Sequence, residues 1–351
     1  MPLKDPSHAI FLDYFVRDAS AAICCHEAIQ QDTCNAVVSV GSAFPSLLYS
    51  TLLFGALHKA SNTHRDIGRQ QLDIRIMELR ASALSLLQAD LHDPGHANSV
   101  AVIATTLMLA NCELHFDPDA SFWRSHFECA NLLLADARRR ESDEPDTIGL
   151  WRLINRLFSL LEFLVSLPAP RPSKSMPVVS KAYPEELPFV ESVGVIDALR
   201  SLCRSKCVRI GSHRQCDESQ TEAFRMANCV AHHIALIFLH RCGLELDREA
   251  DAVKSSVASI VHLADAMPKH SGLHPSIVLT TALFVAGCEA IGRARSDIRS
   301  LLQGQYEITR NQSAKRTLQQ LERLWELAPD DSNTGTSWPP TSIAWDDFVP
   351  Y

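Results

Sequence analysis

The sequence predicts an all-α fold: a large array of packed antiparallel helices, nine or more, forming one continuous domain in two halves. Three observations carry this. Apolar residues recur at steps of three and four throughout, the period of a helix face. Aromatics are sparse at 7%, and extended β-branched alternation is nearly absent. Eighteen Pro and 13 Gly suggest helices separated by proline-bearing loops, and 351 residues at 46% hydrophobic content suffice for a sizeable core.

A first helix is expected over 8–29, with Phe11, Phe15, Ala19 (or Ala22) and Ile23 on one face. A polar connector follows, then a buried helix over 46–60, SLLYSTLLFGALHKA. The stretch 66–91 is amphipathic, with Leu72, Ile76, Leu79, Ala83, Leu86 and Leu87 in register; Asp93-Pro94-Gly95 stops it. A buried helix over 98–115 is capped by Asn98 or Ser99 and ended by Asp117-Pro118-Asp119. Helices over 121–140 and 147–167 close the first half, 1–167.

Residues 168–188 hold six prolines and read as an extended linker. The second half, 189–328, carries helices near 189–208, 218–242, 247–267, 275–302 and 311–328. In 275–302 an all-round apolar run, Ile277 to Ala286, gives way to Glu289, Arg293, Arg295, Asp297 and Arg299. The spacing predicts that Glu289 is buried and paired with Arg293, four residues on. Trp325 is expected in the core, with Leu318 and Leu321 on its face. The tail, 329–351, is irregular, and it either docks by Trp338, Trp345 and Phe348 or stays mobile.

The net charge of −8 and pI near 6.0 argue against a free-standing nucleic-acid binder. The one basic triplet, Arg138-Arg139-Arg140, is followed by Glu141, Asp143, Glu144 and Asp146, as at a charged helix end. No signal peptide and no membrane-length apolar run is found. Eleven cysteines without a secretory signal read as reduced thiols inside a cell.

Several spaced elements together carry a family resemblance. They are Ala286-Gly287-Cys288-Glu289-Ala290, then Arg293, then Leu324-Trp325-Glu326. Upstream, FLDYF at 11–15, the His58 helix, AVIATTLMLANCE ending at Glu113, and Trp123, His126, Ala130, Leu133 and Leu134 fit the same pattern; so does ALIFLHRC with Arg241. Cys129 and Phe238 depart from it, standing where Gly and Tyr are usual. The chain resembles the fungal-specific transcription factor domain, the helical regulatory region of fungal binuclear zinc cluster activators. That resemblance implies a non-catalytic regulator, nuclear or cytoplasmic, acting through partners of the transcription machinery or a DNA-binding factor. It leaves open a small-molecule effector, a homodimer, and a truncated factor. Relatives read DNA through a six-cysteine cluster built on C-x2-C, and these 351 residues contain no C-x2-C. No sequence-specific DNA binding is therefore expected.

Several polar residues invite a functional reading that competes with plain packing. Cys203, Cys207, His213 and Cys216 superficially resemble a zinc quartet, but their spacing reads better as incidental. Cys24 and Cys25 adjoin, and Cys34 does not complete a ligand set. His232, His233 and His240 share a helix without an acid three or four residues after them. Glu113, His115, Trp123 and His126 bracket one helical corner, where general acid–base chemistry competes with a structural tie. No phosphate loop, nucleophile elbow or metalloprotease motif is present. No catalytic residue, cofactor or metal is assigned. An effector pocket, if built, draws on His58, Glu113, Trp123, His126, His233 and Glu289. The alternative function is a helical scaffold turned to small-molecule binding or catalysis in a fungal biosynthetic pathway.

Overall fold

The computed structural model describes residues 5–24, 26–63, 67–117, 122–140, most of 150–157, 218–268 and 274–327. Among these every regular element is helical. The 168–188 linker, the 189–208 helix, the Cys203–Cys216 group and the 329–351 tail lie outside the described residues.

Helix α1 spans Pro6–Arg17. Asp5 starts it by accepting from the Ser7 amide at 2.8 Å and the Ser7 hydroxyl at 2.7 Å, with Pro6 at the first helical position. The helix ends earlier than the sequence suggests. Asp18 caps it, a short 3-10 turn covers Ala19–Ile23, and α2 runs Glu27–Gly41. The expected polar connector is thus a helix of its own. Its buried side is the modest set Thr33, Cys34, Ala36 and Val37, too small and polar to announce a core face. Side chains also serve the break: the Ser20 hydroxyl donates to the Val16 carbonyl, and the Gln30 amide donates to Ser20 Oγ at 2.8 Å.

Helix α3 (Pro45–Asn62) packs on α1, α4 and α5. Gly55 permits the approach of α1: a Cβ there would stand 2.7 Å from the Phe11 carbonyl oxygen. Helix α4 (Ile67–His92) buries Ile76, Leu79, Ala83 and Leu87 and stops before Asp93, as its spacing predicts. Helix α5 (Val100–Phe116) is capped by Ser99, whose Oγ accepts from the Val102 amide. Every side chain from Val100 to His115 is buried. Three of its interior polar groups are satisfied within the helix: Thr105, Thr106 and Asn111 each donate to the carbonyl four residues back, at 2.8 Å. Helix α6 (Trp123–Arg140) lays Trp123, Phe127, Ala130 and Leu134 against it. Leu150, Leu153, Ile154 and Leu157 add a further buried helical stripe.

In the second half α7 (Glu218–Phe238) runs into a π-helical turn, Leu239–Gly243. Helix α8 (Asp251–Ala266) follows, then a 3-10 turn over Pro275–Val278 and α9, Leu279–Glu289. Every residue of α9 is buried, against α7, α8, α10 and α11. The stretch 275–302 is not one helix. The chain turns extended at Ala290, and Gly292 adopts φ 55°, a left-handed value that suits glycine. Helix α10 (Arg293–Thr309) then sets off afresh, and Arg310, at φ 54°, ends it. Helix α11 (Gln312–Leu327) starts at Asn311, whose side chain accepts from the Ser313 amide. The two all-buried helices, α5 and α9, form one hub in each half: α5 packs on α3, α4, α6 and α11, and α9 on α7, α8, α10 and α11, so α11 touches both.

Candidate functional site

The polar residues singled out in sequence fall into two groups, one at each hub. At the C-terminal end of α5, Glu113 accepts from the Phe122 amide at 2.9 Å, just ahead of α6. A carboxylate there satisfies one of the orphan donors of a helix start and faces the positive end of its dipole. Burial pushes the Glu113 pKa up; the Phe122 amide and the Arg80 charge pull it back. Arg80 reaches Asp117 at 3.7 Å. His126 lies in the field of the same guanidinium, and burial together with that charge depresses its pKa to about 4. Trp123 is 1% exposed, with the Arg124 guanidinium 5.0 Å from its ring centre.

His58 stands elsewhere on this corner. Its Nδ1 lies 3.2 Å from the Tyr14 hydroxyl, and its ring meets Phe116 edge-on. Phe54 and His115 complete this aromatic group, and burial lowers the His58 pKa. Across the corner comes a residue the sequence reading missed. Arg316 of α11 donates to the carbonyls of Leu114 (2.6 Å) and Asp117, closing the open end of α5 from the other half of the chain. Only the fold brings residues some two hundred positions apart together, so no local spacing could reveal this tie.

His115 is 2% exposed, and burial first, then the charges of His58 and Arg316, depress its pKa to about 3. Sealed this way, His115 stays neutral, and the contacts described at the corner tie helix ends together. Its pH behaviour follows. Both imidazoles hold folded pKa values below the unfolded 6.5. Their contribution is complete above pH 6.5 and is lost as the pH falls toward about 4 for His126 and about 3 for His115. His115 alone should cost about 2 kcal/mol of stability by pH 5, at about 1.4 kcal/mol per pH unit. Urea titrations at pH 7 and pH 5 measure this. The His115→Asn variant should show a shallower dependence, by about one proton; equal slopes would contradict the assignment.

The second group surrounds the end of α9. Glu289 is buried, as its sequence context predicts, but Arg293 is not its partner. The break at Ala290–Gly292 puts Arg293 at the start of α10, where it faces Asp297 at 3.7 Å with its own side chain 91% exposed. Glu289 Oε1 instead accepts from Arg241 Nε at 2.9 Å, and the two side chains are 2% and 7% exposed. The π-helical turn carries Arg241, which also donates to the Leu246 carbonyl. Burial raises the Glu289 pKa, against the opposing pull of Arg241 and then Arg248. Beside them Gly287 takes the Leu321 side chain on its bare Cα, where a Cβ would meet Leu321 Cδ1 at 2.5 Å. The Gly287 carbonyl accepts from Trp325 Nε1 at 2.8 Å. Arg295 and Arg299 lie over the Trp325 ring at 5.8 and 5.4 Å.

His233 belongs to neither constellation by any contact described. It is half-buried beside His232, with ring centres 5.7 Å apart. Among the described residues no group of His, Cys, Asp and Glu could hold a metal ion, and no helix is long and apolar enough to cross a membrane.

Of the C-terminal signature, Gly287, Glu289 and Trp325 meet in space while Arg293 stands apart, and Arg241 of the upstream ALIFLHRC element joins them. Gly287 and Glu289 end α9, Arg241 comes from α7's terminal turn, and Leu321 and Trp325 come from α11. No curated protein and no solved structure matches the chain significantly. A family model does, over residues 10–197 and again over 195–350. Matched along nearly its whole length, the chain belongs to the fungal specific transcription factor domain family.

Proposed function

We propose that this chain regulates transcription through protein contacts, within the nucleus, and does not read DNA sequence by itself. The family match over both halves carries the reading. The charge pattern supports its second part. Duplex affinity depends on Lys and Arg free to neutralise phosphates, and the net charge here is −8. The first suspects for a cryptic contact are Arg293, Arg295 and Arg299, and all three have intramolecular engagements. Arg293 faces Asp297, Arg295 Nε donates to the Ala290 carbonyl, and Arg299 Nε meets Glu322 at 3.0 Å. The polar residues at the two hubs are spent on tying helices together, which favours a packing element that partners engage over a catalytic site.

The test has two arms. In a mobility-shift titration near physiological salt, with selection from random genomic fragments, the 351-residue chain should enrich no motif. Fused to an unrelated DNA-binding module, it should change expression from a reporter carrying that module's site. A reproducible enriched motif would reject the second part of the reading; a silent fusion would reject the first.

A further inference from the structure

Helix α4 is apolar on two opposite sides. Ile76, Leu79, Ala83 and Leu87 form its inner side, buried where the helix packs on α3 and α5. On the outside Ile74 is 48% exposed, Met77 63% and Leu84 41%; among the described residues no other helix exposes more than two large apolar side chains. With the exposed Gln70, Ala81 and Gln88 they make one stripe at steps of four and three, the spacing of a coiled-coil seam. One buried side holds a helix on its domain. A second apolar side, left in water, is a surface for another molecule.

The stripe has the same chemistry from either end. Counted outward from Leu79, Met77 is balanced by Ala81, Ile74 by Leu84, and Gln70 by Gln88. A two-fold axis through the middle of α4 therefore sets a large side chain against a small one at the centre. It sets branched apolar against branched apolar beyond them, and amide against amide at the rims. Parallel pairing would set Ala81 against Ala81, leaving a gap in the seam, and would align the two helix dipoles. Charge permits the meeting. The chain carries −8, but α4 holds three Arg and three Asp or Glu, and at the edge of the stripe Arg75 already holds Glu78 at 2.8 Å. The helix thus meets its copy without net repulsion.

We propose that two copies of this chain associate through α4, packed antiparallel along this stripe with Met77 of each copy against Ala81 of the other. From Gln70 to Gln88 the seam runs about 27 Å at 1.5 Å per residue. It covers on the order of 300–500 Å² per chain, below the roughly 800 Å² of a standard interface, so the dimer is transient, with Kd on the order of tens of micromolar. The proposal stands on self-association alone, whatever the chain does in transcription.

Sedimentation of the full chain under reducing conditions, from about one to about 300 µM, spans that range. The mean mass should rise from 38.9 kDa toward twice that value. Met77→Glu and Ala81→Lys should each weaken self-association at least tenfold, with denaturation midpoints near native because both positions face water. Mixed in equal amounts, the two variants should associate to within about threefold of the native chain. Antiparallel pairing brings Glu at 77 of one copy against Lys at 81 of the other and leaves the second Met77–Ala81 contact native. A monomer at every concentration would overturn the proposal, as would a dimer indifferent to both variants. So would a mixture no tighter than either variant alone, since parallel pairing or a different surface gives no rescue. A monomer whose midpoint falls sharply in Met77→Glu would show that another part of the chain covers the stripe, and would overturn it too.

Discussion

Replacing Glu289 with leucine should destabilise the chain by about 3–5 kcal/mol, the usual cost of removing one partner from a buried ion pair. The guanidinium of Arg241 would lose the Glu289 carboxylate in a site where it is 7% exposed, while keeping the Leu246 carbonyl. Arginine cannot shed its proton to escape. Arg241→Met should cost less, because the stranded carboxyl can neutralise itself. Burial already raises the Glu289 pKa in the intact pair. The cost of Arg241→Met should therefore shrink as the pH is lowered from neutrality through the raised carboxyl pKa, whereas the cost of Glu289→Leu should not. The same raised pKa says that attraction to Arg241 does not fully repay taking the carboxylate out of water. The double variant Glu289→Leu/Arg241→Met should then be much closer to the native chain than the sum of the singles, a coupling of roughly 3 kcal/mol. Arg293→Met should be additive with Glu289→Leu to within about 0.5 kcal/mol, since the two side chains face different partners. Denaturant midpoints for the six proteins settle the matter. Additivity at Arg241, or coupling at Arg293, would restore the pairing that sequence spacing suggests.

The contrast between Arg241 and Arg293 shows what the sequence could and could not convey. All-round apolar runs identified both hub helices, α5 and α9, because a helix with no polar face has to be buried. Stop signals placed the end of α4 and the start of α5 to within a residue or two. The spacing of Leu318, Leu321 and Trp325 predicted one face, and Leu321 and Trp325 are buried with Leu318 packed beside them. Breaks within apolar or weakly patterned stretches were not legible. Ala290–Gly292 is a short interruption whose only cue is one glycine, and an i, i+4 acid–base pair reads as helix across it. The break after Arg17 depends on Ser20, Gln30 and the Val16 carbonyl finding each other, which is tertiary information. For the same reason Glu113 and Glu289 could be recognised as carboxylates needing partners, while the partners stayed hidden. An amide nine residues on and an arginine forty-eight residues back are fixed by packing, not by period.

Trp325→Ala should be of similar severity, about 3–5 kcal/mol, and its consequences should reach the opposite half of the chain. The indole is 7% exposed and donates to the Gly287 carbonyl at 2.8 Å, where Leu321 covers the bare Cα of the same glycine. Two guanidiniums lie over its ring, so truncation removes packing, a hydrogen bond and the surface on which Arg295 and Arg299 rest. Trp325→Phe separates these contributions. It keeps most of the apolar body and an aromatic face but loses the N–H, and should cost about 1–2 kcal/mol. Because α11 also carries Arg316, loosening its C-terminal turns weakens the restraint on Arg316 at the end of α5. Native-state hydrogen exchange should therefore show faster opening near Leu114–Asp117 in Trp325→Ala, with α1 and the Gly55 contact less affected. An unchanged denaturation midpoint would remove Trp325 from the core. A lowered midpoint with exchange at Leu114–Asp117 tracking only the global loss would mean that the two ends of α11 act independently. The tie between hubs would then rest on Arg316 alone.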